Sequence, residues 1–87
     1  MISYSATKSF QKQYNKLPPK VQKQFKLRIK VFLVDQSDPR LSLHPLKGKY
    51  QGYWSINITG DVRALFQWQG DQLIVFTFIG SHNELYG

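Results

Sequence analysis

Residues 53–79 read YWSINITGDVRALFQWQGDQLIVFTFI, and the period of this stretch decides the fold. Trp54, Ile56 and Ile58 alternate with Tyr53, Ser55 and Asn57, the spacing of a strand with one buried face. Thr59-Gly60-Asp61 reads as a tight turn. From Val62 to Trp68 the alternation resumes, with Val62, Ala64, Phe66 and Trp68 on one face and Arg63, Leu65 and Gln67 on the other. Gly70-Asp71 turns the chain again, and Leu73 to Ile79 completes a three-strand antiparallel meander.

Upstream the period lengthens. Val21, Phe25, Ile29 and Phe32 recur every three to four residues, which predicts a helix running to about Asp35 and ended by Ser37-Asp38-Pro39. Before it, Ala6, Phe10, Tyr14 and Leu17 share one face of a first helix capped by Ser5, and Lys8, Lys12 and Lys16 face outward. Pro18-Pro19 breaks that helix and starts the next, because proline at the first helical position lacks only a donor that would be unpaired anyway. Ile2 to Tyr4 reads as a short edge strand, and residues 38–51 as a loop entering the sheet. Each element has one apolar side to cover. The expected architecture is therefore α+β, a single domain over residues 1–87 with both N-terminal helices on one face of a twisted, mainly antiparallel sheet.

Composition narrows the chemistry. A chain of 87 residues has room for one core and buries only roughly 60–65% of its unfolded surface. The 13 aromatic residues compensate, each able to bury about 150–250 Å². With no cysteine, disulfides, thiolate metal sites and thiol nucleophiles are excluded together. No apolar run reaches the ~18 residues of a membrane span, and Ser3 and Ser5 follow Met1 where a signal sequence would be apolar, so a cytoplasmic protein without membrane association is expected.

The net charge of +7 is distributed unevenly: eight bases and no acid fall in the first 30 residues, against four bases and five acids thereafter. Like charges at i,i+4, as in Lys8, Lys12 and Lys16, cost a helix roughly 0.2–0.5 kcal/mol per pair. A polyanionic or acidic partner would offset that cost, the alternative being a merely solvated face.

Two histidines lie outside the expected elements, His44 before Pro45 and His82 after Gly80-Ser81, and Arg63 projects from the strand between them. If the loop carrying His44 folds over that strand face, the three converge. RNA cleavage needs this combination: a base for the ribose 2′-OH, an acid for the departing 5′-oxygen and a guanidinium for the crowded phosphate. Imidazole, with an ordinary pKa of about 6.5, fills either proton-transfer role, and arginine forks onto phosphate oxygens. Lys47 and Lys49 are candidates for flanking phosphates, and Tyr53 and Tyr86 for base contact. The five acids show no metal-ligand spacing, and Asp61 and Asp71 suit turns, so no metal or cofactor is expected.

Four runs, His44-Pro45-Leu46-Lys47-Gly48, Gly52-Tyr53-Trp54-Ser55, Asp61-Val62-Arg63-Ala64-Leu65-Phe66 and Gly80-Ser81-His82-Asn83-Glu84-Leu85-Tyr86-Gly87, together resemble the RelE/ParE toxin superfamily. The ending is most like the YafQ/YoeB-type mRNA interferases. The resemblance covers essentially the whole chain. It implies a type II toxin, a ribosome-dependent mRNA endonuclease silenced by a cognate antitoxin. By position, His44 inherits the role of general base, Arg63 that of phosphate ligand, His82 that of general acid and Tyr86 that of the supporting aromatic. Asp61 matches an acidic site residue, with its turn role an equal alternative. Ser55 and Asn57 depart from the family, which carries an aspartate and a histidine on that strand.

A site this sparse binds weakly, so dependence on a ribosome that orients the message is expected. Lys8, Lys12 and Lys16 would then dock on ribosomal RNA, and the same surface or a sheet edge would receive an acidic antitoxin segment. Two alternatives stand: a ParE-type toxin that inhibits DNA gyrase by binding, and a non-catalytic RNA-binding module whose lysines alone contact phosphate.

Overall fold

The computed structural model describes residues 2–86; Met1 and Gly87, the last residue of the C-terminal motif, lie outside them. In chain order the elements are β1 (Ser3–Ala6), α1 (Lys8–Asn15), α2 (Pro19–Val34), β2 (His44–Pro45), β3 (Trp54–Asn57), β4 (Val62–Gln69), β5 (Leu73–Ser81) and α3 (His82–Tyr86). Short 3-10 turns occupy Pro39–Leu41 and Gly48–Tyr50.

Thr7, not Ser5, caps the first helix: its side chain accepts from the Phe10 amide at 3.1 Å. Ser5 is instead drawn into β1, which pairs in parallel with β5 from Ser3↔Leu73 to Ala6↔Phe76. The expected edge strand at Ile2 to Tyr4 thus forms, but its parallel partner, β5, has no local signal in the sequence. Pro19 does open α2, whose end at Val34 matches the expected boundary.

The sheet has five strands in the order β1-β5-β4-β3-β2, parallel only between β1 and β5. Neither histidine lies in a loop, contrary to the sequence-based expectation. His44 is in a two-residue strand paired across from Ser55, and His82 is the first residue of a third helix.

Phe10, Phe25, Ile29 and Phe32 from the helices meet Ile56, Ala64, Phe66, Ile74, Phe76 and Ile79 in one core on a single face of the sheet. Phe76 sits at its centre, against the rings of Tyr4, Phe10, Phe25 and Phe66 at 5.3–6.1 Å. Truncating such a residue to alanine costs about 3–5 kcal/mol.

Strand β5 does not alternate regularly. Leu65 pairs with Phe78 but Phe66 pairs with Phe76, so Thr77 is the extra residue of a β-bulge. Beyond the bulge Ile79 returns to the core, while Phe78 and Gly80 face the opposite side with Leu65 and Arg63. Gln13 of α1 secures the irregular stretch: its side-chain oxygen accepts from the Ile79 amide at 2.9 Å, beyond the end of β1.

The opposite face carries a second, smaller cluster. Tyr50 stands within 6.2 Å of the rings of Tyr53, Phe78 and Tyr86, beside buried Leu65 and Leu85, neither of which belongs to the main core. Among the described residues no helix is long and apolar enough to cross a membrane.

Candidate active site

Two rows of cross-strand partners floor the site on the face away from α1 and α2. One row runs His44, Ser55, Leu65, Phe78; the next runs Asn57, Arg63, Gly80. Since alternate residues of a strand share a face, His44 and Arg63 come to one side of the sheet from adjacent rows. Together with Ser42, Leu46, Asn57, His82 and Tyr86 they line an open cleft of about 420 Å³. The sequence-based expectation that His44, Arg63 and His82 share one surface therefore describes the geometry, and Tyr86 joins them.

The His44 ring is oriented by its own loop. Nδ1 lies 2.7 Å from the Ser42 carbonyl oxygen. A carbonyl only accepts, so in the neutral ring Nδ1 carries the proton and Nε2 the lone pair. Ser42 delivers that carbonyl from a left-handed conformation, φ 45°, which is unusual for a residue with a side chain.

Arg63 is half-buried and held through a single nitrogen. Nη1 donates to the carbonyls of Thr59, Gly60 and Val62 at 3.1–3.4 Å. No carboxylate pairs with it among the described residues, where the one ion pair joins Arg40 to Asp38 at 2.8 Å in the loop before Ser42. That surface pair pulls the Asp38 carboxyl down to about 2, chiefly through the Arg40 side-chain hydrogen bond. The Nε and Nη2 donors of Arg63 carry no hydrogen bond to the described residues, and Arg63 lines the cleft.

His82 and Tyr86 are positioned by α3. The His82 amide donates to the Asp61 carbonyl at 3.0 Å. Ser81 and Glu84 form a reciprocal capping box: the Ser81 amide donates to Glu84 Oε1 at 2.8 Å and the Glu84 amide to Ser81 Oγ at 3.1 Å. The Ser81 amide first, and then the Ser81 hydroxyl, hold the Glu84 carboxyl below the usual range. Gly80 permits the approach, since a Cβ there would meet Glu84 Oε1 at 3.3 Å. At the other end of α3 the Tyr50 hydroxyl donates to the Leu85 carbonyl at 2.8 Å, and the Tyr86 ring packs against His82 with centroids 4.8 Å apart.

The remaining candidates stand elsewhere. The Asp61 side chain is exposed and does not line the cleft; its contribution is its backbone carbonyl. Lys47 is exposed beside the cleft loop, Lys49 lies with Nζ 5.2 Å from the Tyr50 ring centroid, and Tyr53 is half-buried in the aromatic cluster. Lys8 and Lys12 are on α1 and Lys16 caps its C-terminal end, in the layer on the other side of the sheet. Asn57, Ser42, Leu46 and Tyr50 were missed as functional candidates. Only the Ser81-x-x-Glu84 box had a readable signal, and it was overlooked. Ser55, across from His44, is fully buried and its hydroxyl has no hydrogen-bond partner among the described residues. The described residues include no cluster of three or more histidines or acids able to hold a metal ion.

Known proteins share this arrangement of elements. Residues 2–87 match the family model of YafQ, a bacterial toxin of type II toxin-antitoxin systems. Among solved structures, YafQ from E. coli strain BL21(DE3) superposes with a TM-score of 0.81 over 100% of both chains at 16% identity. A YoeB/ParE toxin from Agrobacterium tumefaciens superposes at 0.75, covering 93% of this chain and 99% of that one at 21% identity. The toxin chain of the E. coli DinJ-YafQ toxin-antitoxin complex does so at 0.78, over 99% and 98%, at 18% identity. No curated protein sequence matches.

Proposed function

We propose that this chain, which belongs to the YafQ family of type II toxins, cleaves messenger RNA on the ribosome with its own side chains and is held silent by an antitoxin. The observation that carries the reading is one cleft lined by two imidazoles and a guanidinium that no carboxylate neutralises among the described residues.

The geometry supports the following roles. His44, with Nδ1–H held by the Ser42 carbonyl, offers Nε2 as general base to the ribose 2′-OH. The 2′-oxygen forms a bond to phosphorus as the phosphorus–5′-oxygen bond breaks. His82, protonated, gives its proton to the departing 5′-oxygen. The products are a 2′,3′-cyclic phosphate and a 5′-hydroxyl; one imidazole has gained the proton the other lost. Arg63 meets the charge that grows on the phosphate through Nε and Nη2, fixed in advance by the turn carbonyls that hold Nη1. Tyr86, 36% exposed at the rim and packed on His82, offers a ring face to a base. Lys47, Lys49 and Tyr53 flank the path of the strand.

The cleft is open and shallow in chemistry, with few groups to hold a message. This supports dependence on a ribosome that presents the scissile phosphate already oriented, an effect worth several kcal/mol. Lys8, Lys12 and Lys16, on the opposite layer, suit contact with ribosomal RNA while the cleft faces the message. A gyrase-binding toxin or a plain RNA-binding module would have no need of the His44, Arg63 and His82 constellation.

The test is to induce the chain in translating cells and map message ends. Wild type is expected to give codon-phased cuts, and the His44→Ala and His82→Ala variants none. Phased cuts that persist in both variants would end the acid–base assignment.

A further inference from the structure

The floor of the cleft holds a polar side chain to which the reaction above gives no part. Asn57, half-buried at the end of β3, lines the cleft together with His44, Arg63 and His82. Its amide makes no hydrogen bond among the described residues, whereas one nitrogen of His44 and one of Arg63 are each held by backbone carbonyls.

Strand register fixes where that amide stands. Asn57 is directly opposite Arg63 in the antiparallel pair of β3 and β4, where Cβ atoms lie about 4.5–5.5 Å apart. It is two residues from Ser55, the cross-strand partner of His44, so His44 is its diagonal neighbour at about 7–8 Å. The amide therefore lies between the imidazole assigned the 2′-OH proton and the guanidinium assigned the phosphate.

A phosphate under attack spreads its growing charge over two non-bridging oxygens. Arg63 is the one permanent cation lining the cleft among the described residues, and a guanidinium fork covers one edge of the group. A donor from the facing strand reaches the other edge. An amide suits that place, because it donates at every pH and adds no second cation to depress the proton affinity of the imidazoles. A nucleobase fits less well there. Asn57 stands on the sheet floor against Arg63, while Tyr86, the ring offered to a base, is at the rim.

We propose that Asn57 is a further catalytic residue: its Nδ2 donates to the non-bridging oxygen that Arg63 leaves uncovered, so that the scissile phosphate is clamped from two facing strands. The proposal rests on the nuclease reading above and deepens it, and the experiment separates the two.

Single-turnover cleavage is followed on ribosomes programmed with a synthetic message whose cut linkage carries oxygen, or sulfur at one or the other non-bridging position, since sulfur accepts hydrogen bonds poorly. Wild type is expected to be slowed by sulfur at either position. Asn57→Ala should cut the all-oxygen message about 100-fold more slowly, the lower end for loss of one oxyanion donor, because the cleft is open. It should also become indifferent to sulfur at one position while remaining sensitive at the other. Asn57→Asp, of the same shape but without the donor, should be slowed at least as much. Near-wild-type rates in either variant, or unchanged sensitivity to sulfur at both positions, overturn the proposal and leave the nuclease reading intact. Cutting redistributed to other codons with unchanged sulfur sensitivity would assign Asn57 to base reading and equally overturn it. Variants that fail to fold in thermal melts would show a structural amide, with the same consequence. A wild-type chain that cuts none of the messages removes the nuclease reading itself.

Discussion

Replacing Glu84 by alanine is expected to weaken cleavage without unfolding the protein. Helix α3 is five residues long, far short of the roughly 12–15 at which a helix begins to hold itself in water. His82 and Tyr86 are therefore placed by tethers: the Ser81–Glu84 box, the bond from the His82 amide to the Asp61 carbonyl, and the Tyr50 hydroxyl on the Leu85 carbonyl. Alanine removes the acceptor of the Ser81 amide, a loss worth about 0.5–2 kcal/mol for a helix cap. At tenfold per about 1.4 kcal/mol, the ratio of docked to undocked α3 falls by about 2–30-fold, and the cleavage rate falls by up to as much. Global stability should drop by no more than the same cap energy, because Leu85 is the one buried residue of α3 and the main core lies on the other face of the sheet. A glutamine side chain at this position keeps an oxygen that accepts the same bond, so Glu84→Gln should restore most of the rate. The pH dependence has a definite sign. A carboxyl held below its ordinary value stabilises the docked helix above the unfolded carboxylate range and ceases to do so as pH falls through its folded value. The wild-type rate should thus lose an acid-side contribution that Glu84→Gln lacks. Single-turnover cleavage on purified translating ribosomes, with thermal melts alongside, measures each effect. Wild-type cutting by Glu84→Ala, or a Glu84→Gln variant as impaired as the alanine, would refute a positioning role; the second result would put the carboxylate in the chemistry.

Three further outcomes are expected. Ser55→Ala should leave the urea midpoint unchanged or raise it, since a buried unpaired hydroxyl costs about 1–3 kcal/mol, and a loss above about 1 kcal/mol would show that the hydroxyl has a partner. Asp61→Asn should cleave as wild type does, because the contact to His82 is made by the backbone carbonyl; a loss beyond about tenfold would return its carboxylate to the site. On acidification, the turn at Pro39–Leu41 should loosen as pH falls from the ordinary aspartate value of about 3.9 towards the folded value of about 2, the lowered carboxyl contributing above that window and not below it. An Asp38 carbon resonance titrating at the ordinary value would contradict the Arg40 contact.

The parts of this fold legible in sequence are those specified by neighbours in the chain. The alternation of Val62 to Trp68 against Arg63 and Leu65, the helical period of Val21 to Phe32 and the break at Pro18-Pro19 are all local, and each element formed where its period placed it. The parallel pairing of β1 with β5 joins Ser3 to Leu73, and nothing within four residues of Ser5 records it. Ser5 kept the composition of a cap while Thr7 took the role, because the strand claimed Ser5 first. The site divides in the same way. His44, Arg63, His82 and Tyr86 were visible as residue types suited to phosphodiester chemistry, and the sheet register brings them to one cleft. Ser42 and Tyr50 were invisible because their contributions are a backbone carbonyl turned by a left-handed φ and a hydroxyl reaching 35 residues along the chain.

The bulge at Thr77 joins these two halves of the structure. In a regular strand, residues 74, 76, 78 and 80 would share the helix-facing side, since a shift of one residue exchanges the faces of everything beyond it. Phe78 and Gly80 would then enter the main core, and Ile79 would occupy the place beside Arg63. With the extra residue, Ile79 fills the core and Phe78 supports the Tyr50 cluster, while Gly80 leaves the space that Glu84 enters to hold α3. A single unpaired residue in β5 thus lets one strand complete the apolar layer at its start and build the cleft-bearing face at its end. Gln13, reaching from α1 to the Ile79 amide, ties that irregularity to the helical layer. The placement of His82 therefore depends on packing from both sides of the sheet, although its ring lies on only one.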